Sequence, residues 1–391
     1  MWLIRRHHPS KTYTISFLLL FSICLYITFY DNPASNQLMP DFTVNVKNIS
    51  NNLIPDAVVN VKNNSNNLIV NMKNNSNDYL QVRLNLTTNT AICRENDYLI
   101  IYVLSTAHNI QRRSVLRSTW ASKRDGVCFV FILGQIVENS AELQLKINNE
   151  KKEFQDIVQI NHNESYANVV YKEVGALIWS QHFYKNIPYL FKTDDDLVVD
   201  TILISSIAHL LLTNVSNNQS FLEKYRPNLI PDMQSAVRTT FFRGGWAMDY
   251  QPTVRDGGKF GVKHEVWPHP VLPTYCSGFG WLMSNHIRDQ LVNASYTYPL
   301  NKTAWIGDVF VSGFLAKAAN VKCTGIHIDY EQTASANCSC SMVNDPMLTV
   351  CSSSFHAGGG GTEIQKYIEY RKAWQVIQLR HNLTHTKITD C

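Results

Sequence analysis

The sequence predicts an α/β layered domain with a mainly parallel sheet, preceded by an N-terminal segment of another kind, and three observations support this organisation. Apolar runs of strand length alternate with segments of helical periodicity from about residue 93 onward. Three adjacent carboxylates directly follow one of these runs, and a long uncharged apolar segment lies near the N-terminus. Alternating strands and helices are typical of parallel sheets covered by helices, so we expect one layered domain behind an N-terminal segment of another kind.

Residues 13–30 form an uncharged apolar run that predicts a single transmembrane anchor. As a helix, a run of this length spans roughly 27 Å, close to the thickness of a bilayer core. Three basic residues and no acidic residue precede it, which predicts a cytoplasmic tail at 1–12 and a luminal remainder, the type II orientation. A cleaved signal peptide is the alternative, but its apolar region is shorter and small residues precede its cleavage site.

Residues 31–92 have the composition of a luminal stem rather than a folded domain. The Asn-rich segment 44–54 returns at 59–69, and both copies are short and poor in aromatic residues. Such repeats bury too little apolar surface to offset the entropy of ordering the chain. A solenoid is the alternative, but the copies are few and irregularly spaced.

The charge of the chain argues against a nucleic-acid-binding surface. The net charge is +4, and three of the 35 basic residues lie before the anchor, so the remaining 32 nearly balance the 31 acidic residues. A nucleic-acid-binding domain usually carries a clear basic excess. We therefore expect a membrane association through the anchor and no nucleic-acid partner.

Two further features are typical of a luminal, oxidising compartment. The chain has eleven N-x-S/T sequons, and eight of its nine cysteines follow the stem. An even set of cysteines is compatible with disulfides in a secretory compartment. Buried free thiols are the alternative, and a zinc site is a weaker one because Cys338 and Cys340 lack the usual two-residue spacing.

The domain from residue 93 to 391 begins with a regular alternation of predicted strands and helices. Continuous apolar runs indicate strands buried on both faces, and apolar residues three to four positions apart indicate helices. The predicted strands are 98–104, 127–133, 156–160 and 188–192, and the predicted helices are 111–120, 140–154, 166–184 and 200–212. Ligands of such sheets bind beyond the carboxyl ends of the strands.

Asp194, Asp195 and Asp196 directly follow the predicted strand 188–192. Three neighbouring carboxylates repel one another unless a cation or fixed dipoles compensate their charge. Carboxylate oxygens are hard ligands that suit Mg²⁺ or Mn²⁺, and such an ion can stabilise a leaving diphosphate. A solvated turn with a helix N-cap is the alternative, since acidic residues are common at helix starts.

Six short motifs of this chain occur in the same order as those of one enzyme family. They are RRSVLRSTW at 112–120, FILG at 131–134, EFQDIV at 153–158 with YAN at 166–168, KTDDD at 192–196, PTYCSGFGW at 273–281 and GDVFV at 307–311. Together they resemble the β1,3-glycosyltransferase family, which includes β1,3-galactosyl- and β1,3-N-acetylglucosaminyltransferases, with Fringe as a distant relative. The resemblance covers roughly residues 97–375.

The resemblance implies a GT-A fold, a UDP-sugar donor and inversion at the anomeric carbon. In the family pattern the acidic triplet binds the metal, Mn²⁺ or Mg²⁺, and the donor. This implies metal ligands at Asp194 and Asp196, with Asp196 the more direct one, and donor contacts at Asp194 and Asp195.

Asp308 is the catalytic base that the resemblance implies, because it matches the Asp of the family's Glu-Asp-Val motif. One displacement with inversion requires a base for the acceptor hydroxyl. The preceding residue is Gly307, where the family usually has Glu, so the motif is incomplete. The alternative for Asp308 is a helix N-cap before residues 309–319.

Three basic residues of the motifs are implied donor contacts. Arg113 and Arg117 match the family's arginines, and a guanidinium group suits phosphate oxygens. An ion pair on the helix surface is an equal alternative for Arg117. Lys192 precedes the acidic triplet and pairs either with the donor or with the acidic residues themselves.

Other predicted contacts follow later in the chain. Gly278, Gly280 and Trp281 are expected to form a tight loop beside the donor sugar, where the indole stacks on the pyranose or instead packs in the core. His356 occupies the place of a C-terminal histidine in the family and is a candidate metal ligand. Residues 241–272 are expected to shape the acceptor side.

The resemblance therefore implies a Golgi hexosyltransferase that transfers a hexose, most simply galactose, from a UDP-sugar to a glycan acceptor on a glycoprotein or glycolipid in β1,3 linkage. N-acetylglucosamine or N-acetylgalactosamine is the alternative donor sugar, since a few pocket contacts decide it. A catalytically inactive, lectin-like or chaperone-like Golgi protein is the alternative of another class, and Gly307 is the observation that favours it.

Overall fold

The computed structural model describes residues 92–136, 140–326, 331–335, 337–353, 355 and 361–383, together with strand backbones within 4–72. In those early strands and at 331–332 only the backbone is described. His356 lies outside the described residues, so its role as a metal ligand stays a prediction.

The strands within residues 4–72 pair in chain order as one antiparallel sheet. They are β1 (Ile4–His7), β2 (Thr12–Leu18), β3 (Ile23–Tyr30), β4 (Phe42–Asn48), β5 (Ala57–Asn64) and β6 (Asn67–Met72). The structure thus has strands over part of the predicted anchor 13–30. The tail, anchor and stem stay predictions.

Within the part of the chain that the structure describes, no helix combines the length and the apolar character that crossing a membrane requires.

The strands after residue 92 form a seven-stranded, a three-stranded and a two-stranded sheet. They are β7 (Leu99–Leu104), β8 (Val127–Gln135), β9 (Ile157–Asn163), β10 (Tyr189–Asp194), β11 (Leu197–Val199), β12 (Phe242–Gly244), β13 (Ala247–Met248), β14 (Tyr275–Cys276), β15 (Trp281–Ser284), β16 (Thr324–Gly325), β17 (Glu331–Thr333) and β18 (Leu348–Ser352). The large sheet has the order β16-β12-β15-β10-β7-β8-β9. Strands β9, β8, β7 and β10 run parallel, and β15 runs antiparallel to β10.

Helices cover both faces of this sheet. They are α1 (Ile110–Arg117), α2 (Ala141–Phe154), α3 (Val169–Phe183), α4 (Thr201–Thr213), α5 (Gln219–Tyr225), α6 (Leu229–Ser235), α7 (Asn285–Tyr296), α8 (Gly307–Val309), α9 (Ala316–Ala318), α10 (Cys338–Asn344) and α11 (Glu363–Arg380). A π-helical segment, Phe310–Leu315, joins α8 to α9. Short 3-10 turns lie at Tyr166–Asn168, Arg238–Thr240 and Leu300–Lys302.

The prediction of a layered α/β domain with a mainly parallel sheet is confirmed. Strand β7 is buried on both faces, as its continuous apolar run predicts: Leu99, Ile101 and Val103 pack with α1, α4 and α11, and Ile100 and Tyr102 pack with α3 and α7. The predicted helix 166–184 begins as a 3-10 turn before α3 starts.

Disulfides join six cysteines of the domain in pairs. The bonded pairs are Cys93–Cys128, Cys276–Cys323 and Cys338–Cys351. Cys340 is also disulfide-bonded. The disulfides exclude the free-thiol and zinc alternatives for these cysteines. Among the described residues, one set of three possible metal ligands has all its ligand atoms within 4.8 Å of one another: Cys93, Asp97 and Cys128. Because Cys93 and Cys128 form a disulfide, neither offers a thiolate to a metal.

A buried ion pair joins helices α1 and α2. The fully buried guanidinium of Arg113 donates to Glu150, with Nη2 2.6 Å from Oε2 and Nε 2.8 Å from Oε1. Arg117 also donates to Glu150 at 2.8 Å and to both carboxylate oxygens of Asp156. A buried charge needs such partners because it has lost its water.

We expect Glu150→Ala to lower the free energy of unfolding by about 3 kcal/mol, because it leaves the buried charge of Arg113 without its carboxylate. Denaturant unfolding of the full-length chain measures this loss. Glu153→Ala is the matched control: Glu153 is exposed on the same helix, so its loss should stay within about 0.5 kcal/mol. Equal losses in the two variants would contradict the assignment.

Candidate active site

The acidic triplet lies at the carboxyl end of the parallel strands, where the sequence predicts it. Asp194 is the last residue of β10 and pairs in register with Leu104, the last residue of β7. Asp195 donates its backbone N–H to the carbonyl of Leu104 at 3.1 Å. The turn from β10 to β11 therefore presents the three acidic residues at the edge where ligands of such sheets bind.

The carboxylate of Asp195 is fully used by the loop and helix that follow β7. It accepts hydrogen bonds from Ser105 Oγ at 2.6 Å, Asn109 Nδ2 at 2.8 Å and Arg112 Nη1 at 2.8 Å. A carboxylate with three such donors has little capacity left for another ligand. The structure thus gives Asp195 a role in fixing α1 against the triplet, and its predicted donor contact stays a prediction.

Asp194 is held by the buried ammonium group of Lys192. The Lys192 Nζ lies 2.9 Å from Oδ1 and 3.0 Å from Oδ2 of Asp194. Burial raises the pKa of Asp194 to about 6; the charge of Lys192 opposes this shift, and the carboxylates of Asp196 and Asp195 add to it. Lys192 therefore pairs with the acidic residues, one of the two alternatives that the sequence left open.

The remaining negative charge fits a divalent cation. Lys192 pairs with Asp194 and Arg112 pairs with Asp195, so these two cations face the three carboxylates of the triplet. Hard carboxylate oxygens in such an excess suit Mg²⁺ or Mn²⁺. The residues that would hold the ion are Asp194 and Asp196, the ligands that the sequence predicts.

The backbone of Asp196 is fixed by the C-terminal part of the domain. Its carbonyl accepts hydrogen bonds from the backbone N–H of Ser353 at 3.1 Å and from Ser353 Oγ at 2.5 Å. The hydroxyl of Tyr370 on α11 donates to the carbonyl of Asp195 at 3.0 Å. Phe355 packs under the guanidinium of Arg112, 4.2 Å from the ring centroid. The chain around 353–355 thus reaches the triplet.

Asp308 lies in the first turn of α8 and faces the loop before β15. Its Oδ2 accepts the backbone N–H of Gly278 at 2.9 Å, and its Oδ1 accepts the N–H of Val309 at 2.9 Å. The N-cap residue of α8 is Ile306, so the alternative of Asp308 as an N-cap is wrong. Burial raises the pKa of Asp308, although the charge of Lys192 opposes the shift.

Gly278 is the point where the parts of the site meet. Its carbonyl accepts from Lys192 Nζ at 2.9 Å, and its N–H donates to Asp308. A methyl group built on Gly278 would lie 3.5 Å from Asp308 Oδ2, 3.6 Å from Lys192 Nζ and 3.7 Å from Asp194 Oδ2. The sequence-predicted residues Lys192, Asp194, Gly278 and Asp308 therefore come together.

Gly280 is required by its backbone conformation and its surroundings. Its φ is +146°, and an added Cβ would lie 2.7 Å from Phe191 Cζ and 2.8 Å from the carbonyl oxygen of Lys192. The loop therefore approaches β10 closely at this glycine. Gly280 supports the site through this approach, and its predicted contact with the donor stays a prediction.

Trp281 is fully buried in β15, so the predicted stacking on a sugar is wrong and the core-packing alternative holds. Its ring lies opposite Lys192 in the strand register, with the ammonium nitrogen 5.0 Å from the ring centroid. A ring without an accessible face cannot stack on a pyranose. Trp246, between β12 and β13, is 38% exposed, and its ring lies 5.1 Å from that of Phe279 in the loop before β15.

The structure does not bring Arg113 and Arg117 to the acidic triplet. Arg113 is fully buried, and both guanidinium groups are used by carboxylates of α2 and of the turn before β9. The ion-pair alternative thus accounts for Arg117, and a phosphate contact at either arginine has no geometric support. The arginine that reaches the triplet is Arg112, in the same motif.

Sequence reasoning missed several residues around the site. Ser105, Asn109 and Arg112 hold Asp195, and Tyr370 holds its backbone. Glu173 on α3 lies with its Oε1 3.8 Å from Lys192 Nζ. Glu173 could have been singled out from the sequence because it is a charged residue in the mainly apolar helix α3. The sequence marks the other residues only by their position in or near a motif.

Part of the chain is similar in sequence to known proteins. A family model described as "Galactosyltransferase" matches residues 111–327. The chain is 25% identical over 230 residues to "Beta-1,3-galactosyltransferase 2" of Mus musculus. This matched region covers 58% of this chain and 49% of that protein. It is 26% identical over 210 residues to "UDP-GalNAc:beta-1,3-N-acetylgalactosaminyltransferase 1" of Mus spicilegus, which covers 52% and 56%.

A third relative, "Lactosylceramide 1,3-N-acetyl-beta-D-glucosaminyltransferase A" of Xenopus laevis, is 27% identical over 238 residues, which covers 58% of this chain and 56% of that protein. The chain spans about half the length of the curated relatives it matches. Among solved structures, the glycosyltransferase GlyE of Streptococcus pneumoniae aligns with a TM-score of 0.33 and 9% identity, covering 75% of this chain and 66% of that one.

We expect Gly280→Ala to lower the free energy of unfolding by about 2 kcal/mol, because the side chain would be strained at this φ and would meet β10. Gly278→Ala is the matched control in the same loop, since its added methyl makes only ordinary contacts of 3.5 Å or more. Thermal unfolding of the two full-length variants compares them. A Gly278→Ala loss as large as that of Gly280→Ala would contradict this description of the loop.

Proposed function

The chain belongs to the galactosyltransferase family, and from this membership we propose that it transfers a hexose from a UDP-sugar to a glycan hydroxyl with inversion, in β1,3 linkage. The observation that carries the proposal is the convergence of Asp194, Lys192 and Asp308 on Gly278 at the carboxyl end of the parallel strands. This arrangement sets a candidate base beside a cation site, as one displacement requires.

Asp308 is the proposed base. As the acceptor oxygen attacks the anomeric carbon, the bond from that carbon to the UDP oxygen breaks, and the acceptor proton passes to the Asp308 carboxylate. The N–H groups of Gly278 and Val309 each donate one hydrogen bond to this carboxylate, which fixes its direction and leaves lone pairs to accept the proton.

The metal site is proposed at Asp194 and Asp196, with His356 as a further predicted ligand. A bound Mn²⁺ or Mg²⁺ ion would neutralise the charge that develops on the leaving diphosphate. Lys192 keeps one side of Asp194 occupied and fixes its orientation toward the loop of Gly278. Asp195 keeps the turn in place through its bonds to the β7–α1 loop.

Galactose is the proposed donor sugar, and N-acetylgalactosamine and N-acetylglucosamine are the alternatives. The relatives named above, a galactosyl-, an N-acetylgalactosaminyl- and an N-acetylglucosaminyltransferase, support each of these donors in turn, at 25%, 26% and 27% identity. The choice among these donor sugars depends on a few contacts in the donor pocket. The acceptor is proposed to be a glycan on a glycoprotein or glycolipid, and the half-exposed Trp246 offers an aromatic face for it.

We further propose a GT-A type domain on a type II membrane anchor and an Asn-rich stem, with the domain in the Golgi lumen. The uncharged run at 13–30 with its basic flank supports the anchor, and the repeated segment 44–69 supports the stem. The three disulfides support an oxidising compartment.

The proposal predicts UDP release that depends on one donor sugar, a glycan acceptor and a divalent ion. The full-length chain from a secretory host is incubated with UDP-sugars, glycan acceptors and Mn²⁺. Chelation and Asp196→Ala should each lower the rate by at least about 100-fold, since charge stabilisation of the leaving group is lost.

The matched control for that assay is Glu142→Ala, which removes an exposed acidic residue from α2. This control should keep the rate of the unchanged chain. Full activity in Asp196→Ala, or a rate that chelation does not change, would contradict a metal-dependent transfer at the triplet.

The pH dependence tests Asp308. A general base acts only when it is deprotonated, and burial raises the pKa of Asp308, so the proton is retained to a higher pH than on an exposed aspartate of pKa about 3.9. We expect kcat/KM at saturating Mn²⁺ to fall as the pH drops, with a midpoint above the ordinary aspartate pKa of about 3.9, and Asp308→Asn to be inactive. A midpoint at or below that ordinary value would contradict the assignment.

A further inference from the structure

Position 307 lacks a side chain, and a neighbouring residue fills the space. Gly307 is buried at the start of α8, next to the proposed base Asp308. A Cβ added to Gly307 would lie 2.6 Å from Glu173 Oε1, 3.1 Å from Glu173 Cδ and 3.1 Å from Val169 Cγ1. The carboxylate of Glu173, on α3, thus occupies the volume that a longer side chain at position 307 would fill.

Glu173 is an unusual residue for a helix of this kind. It is 1% exposed, among the buried apolar side chains of α3 such as Val170, Val174 and Leu177. Within the described residues its Oε2 has no hydrogen-bond partner. Burial raises the pKa of Glu173 to about 8, so its ionised form calls for a nearby cation as a partner.

That partner is Lys192. The Lys192 Nζ lies 3.8 Å from Glu173 Oε1 and 2.9 Å from Asp194 Oδ1. The ammonium group also donates to the carbonyl of Gly278 at 2.9 Å, so Lys192 lies between Glu173, Asp194 and the loop of Gly278.

We propose that Glu173 is a positioning residue that takes over, from α3, the place left by the missing side chain at position 307, and that it holds Lys192 against Asp194 and Gly278. Gly307 is then the complement of Glu173 and not a sign of lost activity. This inference rests on the transferase function proposed above, in which Lys192 and Gly278 link the metal site to the base.

A relocation of the carboxylate tests the proposal. In the full-length chain, Glu173→Ala should lower kcat about tenfold with a smaller change in donor KM, because Lys192 loses one of its two carboxylates and the loop of Gly278 loosens. Gly307→Glu alone should lower both kcat and the melting temperature, because two carboxylates would compete for one volume. The double variant Glu173→Ala/Gly307→Glu should recover kcat to within about threefold of the unchanged chain.

Glu173→Ala/Gly307→Gln is the matched control, since it fills the same volume without the charge. Recovery with Gly307→Glu and not with Gly307→Gln is the expected result. The proposal is overturned if Glu173→Ala keeps the original kcat, if both double variants recover equally, or if neither recovers although both melt like the unchanged chain.

Binding of UDP in the presence of Mn²⁺, measured by calorimetry on the same variants, separates this inference from the proposed function. If the unchanged chain turns over no donor, the proposed function fails. In that case a loss of UDP affinity in Glu173→Ala, smaller than tenfold and recovered with Gly307→Glu but not with Gly307→Gln, supports the role of Glu173, and equal affinity in all variants overturns it. Absence of UDP binding in every variant overturns both.

Discussion

The buried ammonium group of Lys192 is the interaction on which the arrangement of the site depends. It binds the carboxylate of Asp194 and the carbonyl of Gly278, and it lies near Glu173 and over the ring of Trp281. A charge without water remains ionised only among such partners. Lys192, on β10, binds the carbonyl of Gly278, which is 86 residues later in the chain and in the loop that contacts Asp308. This contact therefore fixes the acidic triplet relative to the proposed base.

The sheet supplies the framework for this contact. Strands β10 and β15 are antiparallel neighbours, and their register sets Lys192 opposite Trp281. The loop that precedes β15 therefore passes over the end of β10, and Gly280 permits the close approach. Asp308 then binds the N–H of Gly278 from α8. Strand pairing and loop packing thus bring Lys192, Gly278 and Asp308 to one edge of the sheet, although they are distant in sequence.

The sequence predicts the parts of the fold that local patterns determine, such as the buried strand β7 and the placement of Asp194 at the end of β10. It does not predict which arginine of α1 faces the triplet, because that depends on how the helix rotates against the sheet: Arg112 does, and Arg113 points into the core. The burial of Trp281 depends on strand pairing, and the contact of Glu173 with position 307 depends on helix packing.

The most direct test of the metal and donor site is an experimental structure of the chain with Mn²⁺ and UDP bound. The account predicts an anomalous manganese peak about 2 Å from carboxylate oxygens of Asp194 or Asp196, with a diphosphate oxygen as a further ligand. A manganese peak away from the acidic triplet, or UDP bound at the triplet without a metal, would contradict it.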